Sequence, residues 1–315
     1  MNYRSIDDLS LLISRNLHRI PQDTELVVAI PRSGMLVASI VALKLNLPLT
    51  DLASFVSNSD IAKGNSRSYK MNHLVRTGDA RRILLIDDSV SSGNAIASAK
   101  AQLATYVENG GRVTTLAAYA EAKSRDHVDI HFELLPQPRA FEWNIMHHPR
   151  LSEACLDIDG VLCVDPTHEQ NDDGPKYLEF IENADPLILP TVAVKHLVTS
   201  RLEKYRPATE KWLERHGVKY GSLQMLNVAT AEERRRLNLH SKFKASVYAS
   251  DTSATLFVES ELQQAIEIAN SAKKPVFCTA NNRMYLPGAS LGRAMVATEQ
   301  LLSKIKRKIR KTLLP

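Results

Sequence analysis

Two pairs of carboxylates stand out in the 315-residue chain: Asp87 with Asp88 in RRILLIDDSVSSG, and Asp157 with Asp159 in CLDIDGVLC. The first pair closes an apolar run and leads into Ser89, Val90, Ser91, Ser92 and Gly93. Consecutive backbone N–H groups, small hydroxyls and a helix N-terminus suit a phosphate. Two carboxylates would repel a bare phosphate, but they suit the hydroxyls or the magnesium of a sugar phosphate. The residue types therefore point to a phosphorylated sugar as ligand. A second turn of the same character, Pro31-Arg32-Ser33-Gly34, follows the apolar run ELVVAI. Between the two lies a polar, basic stretch, residues 57–76, with Lys63, Arg67 and Lys70.

The second pair has a different geometry. Asp157 ends an apolar run, Asp159 follows two residues later, and Gly160 permits a sharp turn before Val161 and Leu162 return to the core. Carboxylates at i and i+2 on a strand end can share a magnesium ion while dividing the work, one attacking phosphorus and the other handling the proton.

These residues need rigid elements behind them. Ile6, Leu9, Leu12, Ile13, Leu17 and Ile20 fall on one helical face. ELVVAI reads as a strand, MLVASIVALKL as a buried helix, ILLID as a strand, 94–108 as a helix and RVTTLAAY as a strand. This βαβ rhythm predicts a parallel α/β sheet with helices on its faces, where ligands sit beyond the carboxyl ends of the strands. A second rhythm begins at ACLDIDGVL, after the weakly structured HHPRLSE. It runs through VKHLVTSR, a helix near 208–216, SVYAS, ATLFVES, a helix at 262–272 and PVFCT. The expected organisation is α/β throughout: a first domain over 1–150, a second over 151–300 and a tail over 301–315. The length agrees with two domains of about 150 residues.

Composition narrows the class. Hydrophobic residues make up 44% and charged residues 24%, as in an ordinary globular protein. Asp7 and Asp8 argue against a signal peptide, and no run of about 18 apolar residues could span a membrane. Cys155, Cys163 and Cys278 are odd in number and lack C-x-x-C spacing, so they read as reduced packing residues in a cytoplasmic protein. The tail LLSKIKRKIRKTLLP places Leu302, Ile305 and Ile309 on one helical face among lysines and arginines. Such a helix can lie on an anionic membrane surface. Nucleic acid is not expected, because no aromatic-interleaved basic groove accompanies it. Arg234-Arg235-Arg236 reads as a solvated helix face and His147-His148 as a surface loop. Phe141, Glu142 and Trp143 are candidates for the acceptor side of the first site, or for plain packing.

RRILLIDDSVSSG resembles the phosphoribosyl pyrophosphate (PRPP) motif of type I phosphoribosyltransferases, over roughly residues 1–150. The resemblance implies that Asp87 and Asp88 hold the ribose hydroxyls and that Ser89, Val90, Ser91, Ser92 and Gly93 grip the 5-phosphate. It implies a pyrophosphate loop at Arg32, Ser33 and Gly34, and a mobile lid whose Lys63, Arg67 and Lys70 close over the leaving group. Ser92 stands where many members have Thr, and the first loop lacks a Gly-Gly pair. CLDIDGVLC resembles motif I of the haloacid dehalogenase (HAD) superfamily phosphatases, over about 151–290. That resemblance implies a HAD-like Rossmannoid domain, Asp157 as nucleophile, Asp159 as acid–base, Thr199 as phosphate ligand and Lys244 as the motif III lysine, with Lys242 as competitor. Magnesium would be held by Asp157, Asp159 and Glu259 with the Ile158 carbonyl. Motif IV departs from the usual pair of aspartates, since Ser260 and Glu261 follow Glu259. Little of the segment between Asp157 and Thr199 could form a cap, which implies a site open to a bulky substrate.

Together the pair resembles two-domain bacterial enzymes that build ribofuranose into surface polysaccharides. The expectation is transfer of 5-phosphoribose from PRPP to a lipid-linked glycan, then removal of the phosphate, by a cytoplasmic protein touching the inner face of the membrane through its tail. Nucleobase salvage coupled to a nucleotide phosphatase, and a non-catalytic PRPP-sensing regulator, are the alternatives.

Overall fold

Apolar runs bounded by turn residues become the strands of two separate sheets. The computed structural model describes residues 1–63, 71 and 73–290. Arg67, Lys70 and the basic tail lie outside the described residues. The chain divides between Trp143 and Asn144 into two units, each with its own sheet.

In the first unit, α1 (Ile6–Asn16) opens on a reciprocal cap in which Ser5 Oγ accepts from the Asp8 N–H while Asp8 accepts from the Ser5 N–H. Asp8 is thus explained by helix capping. The sheet comprises β2 (Leu26–Ala29), β3 (Leu49–Asp51), β4 (Arg82–Val90), β5 (Arg112–Ala120) and β6 (Ile130–Leu134), all parallel, in the order β3-β2-β4-β5-β6. A short pair, β1 (Asn2–Arg4) with β7 (Arg139–Phe141), lies apart from it. Strand β4 has buried residues on both faces. Leu84 and Ile86 pack in one cluster with Leu9, Val37 and Val41, whereas Ile83 and Leu85 pack in the other with Val28, Ile96 and Leu103. Burial on both sides is why this strand is an unbroken apolar run instead of an alternating one. Its helices are α2 (Gly34–Leu45), α3 (Leu52–Val56), α4 (Asn94–Gln102) and α5 (Ala104–Glu108). The single helix expected over 94–108 is interrupted at Leu103, whose side chain is drawn into the core.

In the second unit, β8 (Ala154–Leu156), β9 (Val194–Leu202), β10 (Tyr220–Leu226), β11 (Leu256–Glu259) and β12 (Val276–Cys278) are parallel, and β13 (Arg283–Tyr285) runs antiparallel at the edge. The order is β10-β9-β8-β11-β12-β13. The helices are α6 (Pro175–Asn183), α7 (Arg206–Arg215), α8 (Ala231–Arg236), α9 (Leu239–Ser250) and α10 (Leu262–Ala272). SVYAS, placed among the strand runs, is the last part of α9. Ser241, Lys244, Ala245 and Tyr248 are its buried positions, a spacing of three to four residues that belongs to a helix. Strand β10 has no counterpart among the expected strands, because YGSLQML carries Gly221, Ser222 and Gln224, which dilute the apolar signal. The three cysteines are free and buried, and all lie in this unit. Burial raises the thiols of Cys155 and Cys278 to about 12 and about 11, and that of Cys163 further still. Among the described residues, no helix is long and apolar enough to cross a membrane.

Candidate active sites

The first site is built at the carboxyl ends of β2 and β4. Asp87 and Asp88 are both buried, and the Asp88 N–H donates to Asp87 Oδ1 at 2.8 Å. Burial, reinforced by the neighbouring Asp88 charge, pushes the Asp87 carboxyl up to about 7. Trp143 Nε1 donates to Asp88 Oδ2 at 2.9 Å, and its ring stacks on Phe141 with centroids 4.7 Å apart and planes 10° apart. Trp143 therefore both packs and touches a predicted sugar-binding acid.

The PRSG turn lies against the same acids. A Cβ on Gly34 would come within 2.8 Å of the Ile86 carbonyl oxygen and 3.3 Å of Asp87 Oδ1, so only glycine lets the start of α2 approach β4 this closely. The Pro31–Arg32 peptide is cis, Arg32 is exposed and Ser33 half-buried. Lys63 is half-buried at the edge of the described segment.

The predicted phosphate loop is shorter than expected. Ser89 and Val90 still belong to β4, in register with Tyr119 and Ala120, and the turn proper is Ser91-Ser92-Gly93. Gly93 has φ 79° and caps the start of α4. Three residues here went unnoticed in the sequence. Glu121 accepts from Ser91 Oγ at 2.5 Å and from Gln137 Nε2 at 3.2 Å, and the Ser91 bond helps hold its carboxyl below the usual range. Arg139 is buried and donates to the Val90 carbonyl at 3.3 Å. Ser124 Oγ donates to the Ser91 carbonyl. No spacing rule could have found them, since they come from the chain well beyond the motif.

The second site gathers at the carboxyl ends of β8, β9 and β11. Lys244 Nζ, from α9, donates to Asp157 Oδ2 at 2.5 Å, Glu259 Oε2 at 2.7 Å and Gln264 Oε1 at 3.1 Å. Lys242 is exposed, so the inward lysine is Lys244. Burial pushes the Asp157 carboxyl up to about 7, with Glu259 and Asp159 adding to the rise and Lys244 opposing it. For Lys244 burial acts downward, but the Asp157 and Glu259 carboxylates outweigh it and raise the ammonium above its usual value. Thr199 is buried on β9, and its Oγ1 accepts from the Arg201 N–H at 3.3 Å.

Asp159 lines the same cavity as Asp157 but is held by Arg201, not by Lys244. Its carboxylate takes a forked pair of bonds from Arg201, Nη2 at 2.6 Å and Nε at 3.2 Å, and the Arg201 side chain is 0% exposed. The Ile158 carbonyl, expected as a metal ligand, instead accepts the N–H groups of Val161, Leu162 and Cys163, because the turn at Gly160 folds them onto it. Glu261 caps α10 through the N–H groups of Gln263 and Gln264. Among the described residues, no group of three or more His, Cys, Asp or Glu side chains converges to hold a metal ion. Of the predicted set, Asp157 and Glu259 meet on one ammonium and Asp159 does not join them. Two carboxylates on a single lysine leave a negative excess of oxygen donors, the donor chemistry that suits magnesium.

A cavity of about 310 Å³ opens on this cluster, lined by Asp157, Thr199, Ser200, Arg234, Lys244 and Glu259 among others. Arg234 corrects the reading of Arg234-Arg235-Arg236 as a solvated face. Arg235 and Arg236 are exposed, whereas Arg234 is buried and donates through Nη1 to the Ser200 carbonyl at 2.6 Å. A short helix must bury one face, and Arg234 lies on it with Ala231. His240 also lines the cavity; burial, with the charges of Arg234 and Lys244, lowers it to about 4.

The first site sits within a recognisable domain. Residues 3–147 match the phosphoribosyl transferase domain family, and this part of the chain is a phosphoribosyltransferase domain of type I. Among solved structures, the chain is similar to the xanthine-guanine-hypoxanthine phosphoribosyltransferase of Helicobacter pylori, at 17% identity and TM-score 0.33, over 46% of this chain and 92% of that one. A purine phosphoribosyltransferase from Pyrococcus horikoshii gives 14% identity and TM-score 0.31, over 45% and 94%. A chain of a Pnkp1/Rnl/Hen1 complex gives 14% identity and TM-score 0.28, over 84% and 98%. Likenesses this low carry no weight on substrate or partner. No curated protein matches.

Proposed function

We propose that the chain is a bifunctional enzyme that transfers 5-phosphoribose from PRPP to an acceptor and then removes the 5-phosphate. The observation that carries the second half is Lys244 joining Asp157 to Glu259 in a buried pocket, with Thr199 beside it. The strand order supports a HAD-like domain: the nucleophile strand β8 is central, flanked by β9 with Thr199 and by β11 with Glu259.

In the first unit, Asp87 and Asp88 would hold the ribose hydroxyls and the turn Ser91-Ser92-Gly93 the 5-phosphate. An acceptor hydroxyl attacks C1 of α-configured PRPP, the bond to pyrophosphate breaks, and inversion gives the β linkage. In the second unit, Asp157 attacks phosphorus and the sugar oxygen leaves, taking a proton from Asp159. Water then attacks the acyl phosphate, freeing phosphate and restoring the carboxylate. Arg201 fixes the orientation of Asp159 for that transfer. Asp157 and Glu259 would hold magnesium, which supplies charge neutralisation to the phosphoryl group when bound.

The acceptor proposed is a glycan carried on a lipid, with the basic tail at the membrane surface. Its support is the pairing itself, because a phosphatase downstream of a phosphoribosyl transfer leaves a plain ribofuranosyl group. A nucleobase acceptor is the second reading, favoured by the half-buried Trp143 ring beside Asp88, on which a base could stack. Purified protein incubated with PRPP, magnesium and each acceptor class, followed for pyrophosphate and then phosphate, tests both. Asp157→Asn is expected to release pyrophosphate and accumulate the phosphoribosylated acceptor, and Asp87→Asn with Asp88→Asn to abolish pyrophosphate release. Unchanged phosphate release from Asp157→Asn overturns the nucleophile assignment.

A further inference from the structure

The pocket around Asp157 is short of free positive charge. Lys244 is committed to Asp157 and Glu259, and Arg201 is committed to Asp159. A phosphomonoester dianion entering there meets carboxylates first, and Lys244 does nothing to offset them until it is shared with the incoming group. Arg234 is different. It lines the cavity, is 6% exposed, and has no carboxylate partner among the described residues. Its Nη1 is anchored on the Ser200 carbonyl, while its Nε–H is buried without a hydrogen-bond partner. The Ser200 hydroxyl, also buried in the cavity wall, lacks a partner too. Two unsatisfied buried donors in residues of one cavity wall are costly unless a ligand satisfies them.

We propose that Arg234 and the Ser200 hydroxyl form the anion-recognition element of this pocket and select substrates that end in a phosphomonoester. The inference rests on the phosphatase reading above and extends it to specificity. A guanidinium anchored at one nitrogen presents its remaining N–H groups in a fixed plane, which matches the oxygens of a phosphate. Thr199, Ser200, Lys244 and Arg234 line the same cavity. A terminal phosphate, with three non-bridging oxygens and two charges, makes fuller use of such a donor set than a phosphodiester with two oxygens and one charge. Arg234 is a specificity residue: it binds the phosphate, and the bond-making step belongs to Asp157.

The test uses the full chain with magnesium, titrated with inorganic phosphate in a calorimeter, alongside hydrolysis of p-nitrophenyl phosphate. Arg234→Gln is expected to weaken phosphate binding by roughly 10- to 100-fold, the range for a lost charged hydrogen bond. Its KM should rise by a similar factor with a much smaller change in kcat. Because Arg234 is buried, Arg234→Gln is checked against Arg234→Lys, which keeps the charge but loses the planar fork; an intermediate loss is expected. Ser200→Ala should weaken phosphate binding severalfold. Wild-type phosphate affinity in folded Arg234→Lys and Ser200→Ala proteins overturns the proposal. Hydrolysis that depends on Asp157 but is indifferent to Arg234 also overturns it, and leaves the phosphatase reading standing. Arg234-dependent phosphate binding without any Asp157-dependent hydrolysis does the reverse.

Discussion

Asp87 carries two demands that pull against each other. It is buried beside a second carboxylate, which raises its pKa from 3.8 to about 7. Between about pH 4 and pH 7 the folded state therefore keeps a proton that the unfolded chain has released, so this group's contribution to stability falls as pH rises through that window. Asp87→Asn keeps the shape and the bond from the Asp88 N–H while removing the charge. It should stabilise the protein at pH 8 by on the order of 2 kcal/mol and have little effect at pH 4. Urea unfolding of both proteins at the two pH values checks this; an equal difference at both would show that Asp87 is not held above its usual range. The acids of both pairs were legible in the sequence because their chemistry is written locally, as neighbours or at i and i+2. Arg234 and Glu121 were not, because each gains its meaning from a contact made across the fold. Arg234 looked like its two exposed neighbours until α8 was seen to bury one face.

Elements set how closely the acids and the loops approach. Gly34 begins α2 with its Cα against the Ile86 carbonyl and Asp87. Gly34→Ala would drive a methyl group into backbone that cannot yield without moving β2 from β4, where Ile30 N–H bonds the Ile86 carbonyl at 2.9 Å. The expected cost is about 1–3 kcal/mol, with a rise in KM for PRPP larger than any fall in the melting temperature would explain. Wild-type KM in the folded variant would show that the close approach is dispensable. At this scale the sequence was readable where burial was uniform, as in β4. It misled where helix and strand periods compete over a short run: SVYAS has strand-forming residues, yet Ser241, Lys244, Ala245 and Tyr248 share one buried face only in a helix. In β10 the polar residues hid a strand that its pairing with β9 supports.

The whole molecule has two sheets, each with its own buried apolar clusters. Unfolding is expected in two steps, and core truncations should act on one step each. Leu84→Ala should lower the first unit's transition by about 2–5 kcal/mol and leave the other in place, and Phe257→Ala the converse. Scanning calorimetry reads both, and a single transition displaced by either variant would count against independent cores. The three buried thiols give this division a chemical signature. The first unit has no cysteine, and the second hides Cys155, Cys163 and Cys278 as protonated thiols poorly suited to attack. A thiol-reactive dye added to the native protein should therefore colour slowly, at the pace at which the second unit opens. Phosphate should slow that colour further, whereas PRPP should leave it unchanged, so the unmodified protein carries its own clock for one half of the chain.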